Sequence, residues 1–376
     1  MTEKRARNRL ILAGIVIGLI AAILVLLGNP KNMGFCLACF VRDTAGAVGL
    51  HQAAVVQYIR PEVIGLVLGA FVVSLIFREF KPRGGSSPMI RFVLGFFVSI
   101  GALVFLGCPF RMILRLAGGD LNAIVGLFGF SAGIGAGVVF LKRGYSLKRT
   151  YPLSPLEGAW LPLVQVALLA LLVVAPPFIL FSEKGPGSMH APIITSLAAG
   201  LAVGALAQRT RLCMAGGIRD VILFQDWNLM MGFVAIFVAA LVGNLILNAT
   251  VGGYFNLGFL PQPVAHSDGL WNFLGMLVVG LGSVLLGGCP LRQLIMAGEG
   301  SSDSAITVIG MLLGGATAHN FGLASAAHTI TDGVLTGGPT GGGKVAVIIG
   351  LIVMVFIAVL NTKRVAVSSV KEGAVL

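Results

Sequence analysis

Long apolar runs separated by short polar stretches occupy most of the 376-residue chain. The run at 10–27, LILAGIVIGLIAAILVLL, is apolar on every helical face. It therefore lacks both the one-sided pattern of a surface helix and the alternation of a membrane β-strand. Roughly 20 such residues cross the hydrocarbon core of a bilayer as one α-helix. The pattern predicts ten spans, at about 10–28, 59–77, 90–107, 121–141, 160–181, 191–208, 228–248, 270–287, 304–323 and 345–361.

The composition agrees with a membrane-embedded chain. Hydrophobic residues make up 57% of it and charged residues only 11%, which is too apolar for a soluble domain. The 53 glycines suit helices that approach closely inside a bilayer. We therefore predict an all-α polytopic membrane protein, with residues 1–376 as one integral membrane domain. A cleaved signal peptide is the other interpretation of 10–27, but no small-residue cleavage site follows it.

The net charge of +12 reflects short basic clusters beside the spans. In a chain with ten crossings, every cluster falls on the side of the N-terminus, which the positive-inside rule assigns to the cytoplasm. Both termini are therefore predicted to be cytoplasmic, in a bacterial inner membrane, and nucleic acid is not expected as a partner. The clusters are Lys4, Arg5, Arg7 and Arg9; Arg78, Lys81, Arg83 and Arg91; Lys142, Arg143, Lys148 and Arg149; Arg209 and Arg211; and Lys363 and Arg364.

Two cysteine motifs each occur twice, in the same order. Cys-x-Ala-x-x-x-Arg-Asp begins at Cys36 and, in the matching Cys-Met-Ala form, at Cys213, 177 positions later. Gly-Cys-Pro-x-Arg contains Cys108 and then Cys289, 181 positions later. An odd number of spans separates the copies, so the second half is predicted to be inverted, as in many transporters. The predicted parts are repeat 1 at 10–141, a cytoplasmic linker with a connecting helix at 142–190, repeat 2 at 191–323, and an outer loop with the last helix at 324–376.

Each cysteine patch is followed by a stretch too short to cross a bilayer. We predict four short half-helices there, whose N-termini carry free N–H groups and favour an anion. One arginine follows each cysteine by three to six positions. Structural ion pairs that close buried helix ends are the alternative for the Arg–Asp pairs. The predicted anion-attracting and supporting residues are Arg42, Asp43, Arg111, Arg219, Asp220 and Arg292.

All five cysteines lie in the four patches and none lies within a predicted span. A single buried cysteine is usually an inert small hydrophobe. A thiol is also a weak hydrogen-bond donor, so its repeated use favours a soft substrate that contains sulfur or selenium. The predicted substrate path is formed by Cys36, Cys39, Cys108, Cys213 and Cys289.

Redox or metal chemistry is the competing interpretation of the cysteines. Cys36 and Cys39 form a C-x-x-C pair, which could be a redox dithiol or half of a zinc site with His51. A membrane thiol–disulfide electron shuttle is the alternative function, and a bridge between Cys36 and Cys213 would need Cα atoms within about 7 Å. Our main hypothesis includes no metal, no cofactor and no catalytic residue.

Two further features, a glycine-rich stretch and a histidine, are not assigned a functional role. The stretch 338–344, GPTGGGK, imitates a phosphate-binding loop, but it has Val345 at the Ser/Thr position and no predicted strand before it. We predict a flexible loop there, and 325–343 as a whole carries no further interpretation. His319 lies inside the ninth predicted span and is expected to be a packing residue.

The motifs resemble those of the YeeE/YedE family of membrane transporters for sulfur compounds. The matching stretches are GFCLACFVRDTAGAVGLH (34–51), GCPFRMILRLAGGD (107–120), RLCMAGGIRD (211–220) and GCPLRQLIMAGEG (288–300). The resemblance implies an hourglass-like architecture, no enzymatic activity, and a thiosulfate path lined by cysteines. Residue by residue, that role falls on Cys36, Cys108, Cys213 and Cys289.

The first motif most resembles that of the YedE-type branch, and this resemblance implies selenium transport. Cys39 departs from the repeat, because Gly216 occupies the equivalent position. The Cys39 thiol is therefore a candidate for the group that makes the substrate differ between the two branches of the family. The resemblance also implies a small cytoplasmic sulfur-carrier protein of the TusA type as a partner. We expect uptake of a small selenium- or sulfur-containing anion, such as selenite or thiosulfate.

Overall fold

The computed structural model describes residues 3–331 and 334–362. Within these ranges the chain forms ten long helices and four short ones. The short helices, α2, α5, α9 and α12, contain 9 to 11 residues. The helices are α1 (Glu3–Leu26), α2 (Leu37–Ala47), α3 (Pro61–Ile76), α4 (Pro88–Phe105), α5 (Pro109–Ala117), α6 (Asn122–Lys142), α7 (Pro155–Val174), α8 (Ile193–Thr210), α9 (Met214–Phe224), α10 (Asn228–Thr250), α11 (Gly269–Leu286), α12 (Pro290–Gly298), α13 (Ser302–Asn320) and α14 (Gly341–Leu360).

Eight helical segments in the described ranges are long and apolar enough to cross a membrane. They contain α1, α4, α6, α7, α8, α10, α11 and α14. Of the other two predicted spans, α3 is an apolar helix of only 16 residues, and α13 falls outside the set. The chain is an all-α polytopic membrane protein. Lys363 and Arg364, part of the predicted cytoplasmic charge pattern, lie outside the described residues.

The fifth span begins and ends earlier than the sequence pattern predicted. Helix α7 covers Pro155–Val174 instead of about 160–181. Its start is set by a capping box, in which Ser154 accepts from the Glu157 N–H and Glu157 accepts from the Ser154 N–H. Its end is set by Ala175 in the left-handed region, immediately before two prolines that cannot continue a helix. Hydropathy alone does not register these polar and conformational signals.

Glycine contacts show that the two repeats pack in equivalent ways. A Cβ atom at Gly133 of α6 would lie 2.2 Å from the Leu277 carbonyl oxygen of α11. A Cβ atom at Gly314 of α13 would lie 2.3 Å from the Phe96 carbonyl oxygen of α4. Gly314 follows Gly133 by 181 positions, and Leu277 follows Phe96 by 181 positions. The α6–α11 and α4–α13 contacts are therefore equivalent across the repeat, as are α1–α10 and α3–α8.

The two repeats are inverted relative to each other. Helices α4 and α11 occupy equivalent places in the repeats and pack directly on one another. Val98 lies against Gly282, whereas Gly101, further along α4, lies against Val278, which is earlier in α11. Residue numbers thus rise along one helix as they fall along the other, so the helices are antiparallel. Equivalent elements that run in opposite directions define an inverted repeat.

The segment before α14 contains two strands, whereas the sequence predicted a flexible loop there. Strand β3 (Ala326–Thr331) pairs antiparallel with strand β4 (Val334–Gly338). Two further two-residue strands, β1 (Arg83–Gly84) and β2 (Tyr151–Pro152), pair elsewhere. The prediction that no strand precedes the glycine run at 338–344 was therefore wrong. The run is also not a loop, since Thr340 caps α14 by accepting from the Gly343 N–H at 2.9 Å.

Candidate functional site

The four motif cysteines occupy the same position in four short helices. Cys36, Cys108, Cys213 and Cys289 are the N-cap residues of α2, α5, α9 and α12, each with extended backbone. In α5 and α12 the next residue is proline, whose missing N–H costs nothing at the first helical position. The prediction of four half-helices that begin at the cysteine patches is confirmed.

Tertiary folding brings these cysteines together in two pairs. The Sγ atoms of Cys36 and Cys108 lie 4.0 Å apart and form the first thiol pair. The Sγ atoms of Cys213 and Cys289 lie 3.8 Å apart and form the second thiol pair. A disulfide bond is about 2.05 Å long, and all five cysteines are free and buried. Each pair therefore joins the two motifs of one repeat.

The two thiol pairs lie on opposite sides of the α4–α11 crossing. Cys108 follows Gly101 by seven residues, and Cys289 follows Gly282 by seven residues in the opposite direction. The first four of these residues are helical in each case and extend about 6 Å along the helix axis at 1.5 Å per residue. The pairs are thus two sites displaced in opposite directions from the centre of the repeat interface.

Backbone N–H groups surround the sulfur atoms. The N–H groups of Ala38 and Arg111 face Cys108, and those of Met214 and Arg292 face Cys289. Cys213 also accepts from the Gly216 N–H at 3.3 Å. These N–H groups belong to the first turns of the half-helices, where helical geometry leaves them without intrahelical partners. Each pair can therefore offer thiol and amide donors to a small anion.

Cys39 adds a third thiol beside the first pair. Its Sγ accepts from Nη1 of Arg111 at 3.6 Å. Arg111 is fully buried and also donates to the backbone carbonyls of Asn32, Leu106 and Val264. The second repeat has Gly216 in place of Cys39, so its pair has no third thiol.

Arg292, the repeat equivalent of Arg111, has a different environment. Its Nη1 and Nη2 atoms donate to the two carboxylate oxygens of Glu299 at 3.0 and 3.1 Å. Both side chains are nearly buried, with exposed fractions of 9% and 5%. This bidentate geometry is the strong form of an arginine–carboxylate pair.

Arg42 and Asp43 belong to a buried ionic network. Asp43 accepts from Arg42 through one carboxylate oxygen and from Arg60 through the other, with a 2.8 Å distance to Arg60 Nε. Arg60 is fully buried and also donates to two backbone carbonyls. Nη1 of Arg42 lies 3.4 Å from Nε2 of His319, whose ring packs on His51. His319 thus contacts a predicted site residue.

The equivalent Arg–Asp pair in the second repeat is more exposed to solvent. Arg219 donates to Asp220 at 2.9 Å, and the two side chains are 33% and 16% exposed. Arg42 and Asp43, by contrast, are 5% and 0% exposed. The same dipeptide is therefore buried within α2 in one repeat and partly exposed within α9 in the other.

Sequence reasoning missed Arg60 and Glu299, which pair with residues that it selected. A signal existed for Arg60, because it directly precedes an apolar run and is followed by Pro61 and Glu62. Ionisable groups at membrane depth are costly and require partners. No comparable signal marks Glu299, since its side chain reaches Arg292 only after α12 has formed.

The geometry around His51 gives no support to a zinc site. His51 Nε2 lies 3.1 Å from the Arg42 carbonyl oxygen, and Nδ1 accepts from the Ala53 N–H at 3.2 Å. Both ring nitrogens are therefore engaged away from the cysteines. Within residues 3–331 and 334–362, no cluster of three or more His, Cys, Asp or Glu side chains is arranged to hold a metal ion.

Two curated proteins are similar to part of this chain. The thiosulfate transporter TsuA of Escherichia coli is 31% identical over 120 residues, which are 32% of this chain and 32% of that protein. The thiosulfate transporter TsuA of Spirochaeta thermophila is 35% identical over 108 residues, which are 29% of this chain and 31% of that protein. The chain thus matches about a third of the length of each relative.

A family model described as sulphur transport covers most of the sequence. It matches residues 2–109 and 209–374, which include all four cysteine N-caps. The match confirms the resemblance to the YeeE/YedE family that the cysteine motifs indicated. The chain belongs to the sulphur transport family, that of YeeE and YedE.

Proposed function

We propose that this protein moves a small sulfur- or selenium-containing anion across the membrane, past the first thiol pair and then the second. The observation that carries the proposal is the pairing of the four motif cysteines at 4.0 and 3.8 Å, on either side of the α4–α11 crossing. Family membership supports a sulfur compound as the substrate class. Thiosulfate is a candidate because two relatives are named as its transporters.

Each thiol pair would hold the anion by weak contacts. A thiol donates a weaker hydrogen bond than a hydroxyl, so an anion is stabilised without being trapped. The half-helix N–H groups supply the electrostatic part, because the partial positive charge at a helix N-terminus favours an anion. The polarisable sulfur of thiosulfate, or selenium of a reduced selenium species, would contact the cysteine sulfurs. Weak binding at successive sites permits both entry and release, as conduction requires.

Direction and location belong to the same proposal. The basic clusters near Arg78, Lys142 and Arg209 support cytoplasmic termini in an inner membrane. On that orientation the first thiol pair lies toward the outside, and uptake proceeds from Cys36 and Cys108 to Cys213 and Cys289. A TusA-type sulfur carrier, implied by the family resemblance, would consume the anion on the cytoplasmic side and maintain the gradient.

The electron-shuttle alternative has less support. It predicts a reversible disulfide between cysteine patches, and the bridge between Cys36 and Cys213 that would connect the two repeats joins cysteines of different thiol pairs. Electron transfer across the membrane would instead require exchange between two intact pairs. The transport proposal needs no such exchange.

Uptake by purified protein in liposomes tests the proposal. Labelled thiosulfate and labelled selenite would be offered separately to the wild type and to Cys36→Ala, Cys108→Ala, Cys213→Ala and Cys289→Ala. We expect uptake of at least one anion, reduced about tenfold or more in each variant, on the scale of one or two lost hydrogen bonds to a charge. The matched control is Ser74→Ala, which removes a buried polar group in the last turn of α3. Wild-type uptake in all four cysteine variants would refute the path.

A further inference from the structure

The two equivalent arginines of the Gly-Cys-Pro-x-Arg motifs differ in charge compensation. Arg111 is fully buried, and no carboxylate oxygen in the described part of the chain lies within 4.0 Å of its guanidinium. The nearby Asp120 pairs with Arg115 instead, at 2.6 Å. Arg292, in contrast, has a bidentate partner in Glu299. One repeat thus contains a buried uncompensated cation, and the other contains a neutral pair.

A second observation concerns the position at which the first repeat would carry an equivalent carboxylate. The position equivalent to Glu299 is Gly118, 181 residues earlier. A Cβ atom at Gly118 would lie 2.0 Å from Oδ1 of Asn32, so a longer side chain there would require the Asn32 side chain to move. The Asn32 backbone carbonyl accepts from Arg111 Nε at 3.0 Å. The loop containing Asn32 therefore occupies the space in which the second repeat places its carboxylate.

Both arginines lie beside the thiol pairs. Nη1 of Arg111 is 3.6 Å from Sγ of Cys39, and Arg292 lies in the first turn of α12, whose N-cap is Cys289. A buried cation is weakly screened and raises the affinity of its surroundings for an anion. A bidentate carboxylate cancels most of that effect. The first thiol pair therefore has an attractive positive charge beside it, and the second has almost none.

We propose that Glu299 is a positioning residue that makes the second thiol pair the release side of the path, by neutralising Arg292. This inference rests on the proposed transport function and adds the residue that sets the difference between the two sites. An anion is held at the first thiol pair by the charge of Arg111 and then passes to the second thiol pair. It leaves from there because Glu299 already compensates the charge of Arg292. Removal of the Glu299 charge converts the second pair into a second strong site.

The test combines binding and transport in the full-length protein. The binding of thiosulfate to detergent-solubilised protein is measured by titration calorimetry, and initial uptake rates are measured in liposomes. For Glu299→Gln we expect the Kd of the weaker of the two binding events to fall by about tenfold, together with a lower maximal rate and a lower KM. For the double variant Arg292→Gln/Glu299→Gln we expect the gain in affinity seen in Glu299→Gln to be lost, because the cation that Glu299→Gln leaves unpaired is then absent. The matched control is Glu79→Gln, which removes a carboxylate from a partly exposed pair with Arg209.

These outcomes separate a positioning role from a structural one. A purely structural Glu299 would lower thermal stability without tightening the binding of thiosulfate. An unchanged or weaker Kd in folded Glu299→Gln overturns the inference. If that variant does not fold, Glu299→Asp keeps the charge but shortens the reach to Arg292, and it is expected to shift Kd and the maximal rate in the same direction by a smaller factor. A folded Glu299→Asp protein with wild-type values overturns the inference equally. Absence of wild-type uptake would refute the transport proposal itself, whatever the variants do.

Discussion

The thiol of Cys36 faces the thiol of Cys108 from the other motif of its own repeat, at an Sγ–Sγ distance of 4.0 Å. The same arrangement recurs between Cys213 and Cys289 at 3.8 Å. Each pair is assembled from the N-caps of two half-helices that lie far apart in sequence. The repeat thus produces two similar sites, which suits stepwise passage of one ligand.

Mild oxidation should reveal this pairing directly. The thiols need to move by only about 2 Å to reach bonding distance. We expect a thiol-oxidising reagent to produce Cys36–Cys108 and Cys213–Cys289 disulfides, which peptide mass spectrometry would identify. A dominant Cys36–Cys213 disulfide would contradict the pairing and favour the electron-shuttle alternative.

Replacement of Cys39 tests whether the third thiol affects substrate choice. Cys39→Ala leaves both thiol pairs intact and removes the sulfur that Arg111 contacts at 3.6 Å. We expect thiosulfate uptake to stay within about twofold of the wild type, because a thiol is only a weak hydrogen-bonding group. The ratio of selenite to thiosulfate uptake should fall. An unchanged ratio would show that the extra thiol has no part in selectivity.

The buried Asp43 should be far more important for stability than its repeat equivalent. Asp43→Asn leaves Arg42 and Arg60 without a carboxylate in a buried site. Breaking a buried ion pair in this way costs about 3–5 kcal/mol. Asp220→Asn is the matched control and should cost less than about 1 kcal/mol, because its pair is partly exposed. Thermal unfolding in detergent measures both, and equal losses would contradict the network.

Close helix packing makes a specific prediction for two neighbouring glycines. Gly133→Ala places a methyl group 2.2 Å from the Leu277 carbonyl oxygen, so α6 and α11 must separate. Overpacking of this kind costs about 1–3 kcal/mol. A methyl group at Gly135 meets no atom of another described element within 4 Å, so Gly135→Ala should change stability by less than about 1 kcal/mol. Thermal unfolding of the two variants should therefore differ clearly.

Glu79 provides a pH-dependent contribution outside the membrane-spanning helices. Hydrogen bonding from Gln208 at 2.6 Å, with Arg209 nearby, lowers the pKa of Glu79 from its usual value of 4.5. A lowered folded-state pKa stabilises the protein above about pH 4.5, and this contribution is lost as the pH falls through the folded value. Glu79→Gln should therefore be slightly less stable than the wild type at pH 7, by less than about 1 kcal/mol.

The comparison of unfolding at low pH completes that test. The stability difference between the wild type and Glu79→Gln should shrink as the pH falls below 4.5 and the carboxylate of the wild type becomes protonated. Arg211, more distant from Glu79 at 3.9 Å, serves as the control position, since Arg211→Gln should have a smaller effect at pH 7. A difference between the wild type and Glu79→Gln that stays constant as the pH falls would assign the effect to packing instead.

Much of the architecture follows from local sequence signals. Apolar runs such as 10–27 specify membrane helices because an isolated backbone in lipid must satisfy its own hydrogen bonds. Pro109 and Pro290 mark the half-helix starts, and the odd number of predicted spans between the two copies of each cysteine motif predicts the inversion. The positions of the cysteine N-caps could therefore be predicted from the sequence.

Only the tertiary structure decided which side chains meet. The pairing of Cys36 with Cys108, and not with Cys213, depends on how α2 and α5 pack, and residue spacing does not encode it. Likewise, the sequence presents Arg111 and Arg292 as equivalents, yet Asn32 fills in one repeat the space that Glu299 uses in the other. Hydropathy and sequence motifs predict structure only over a few turns of helix. Charge compensation is set by atoms that come within about 3 Å only when distant segments pack together.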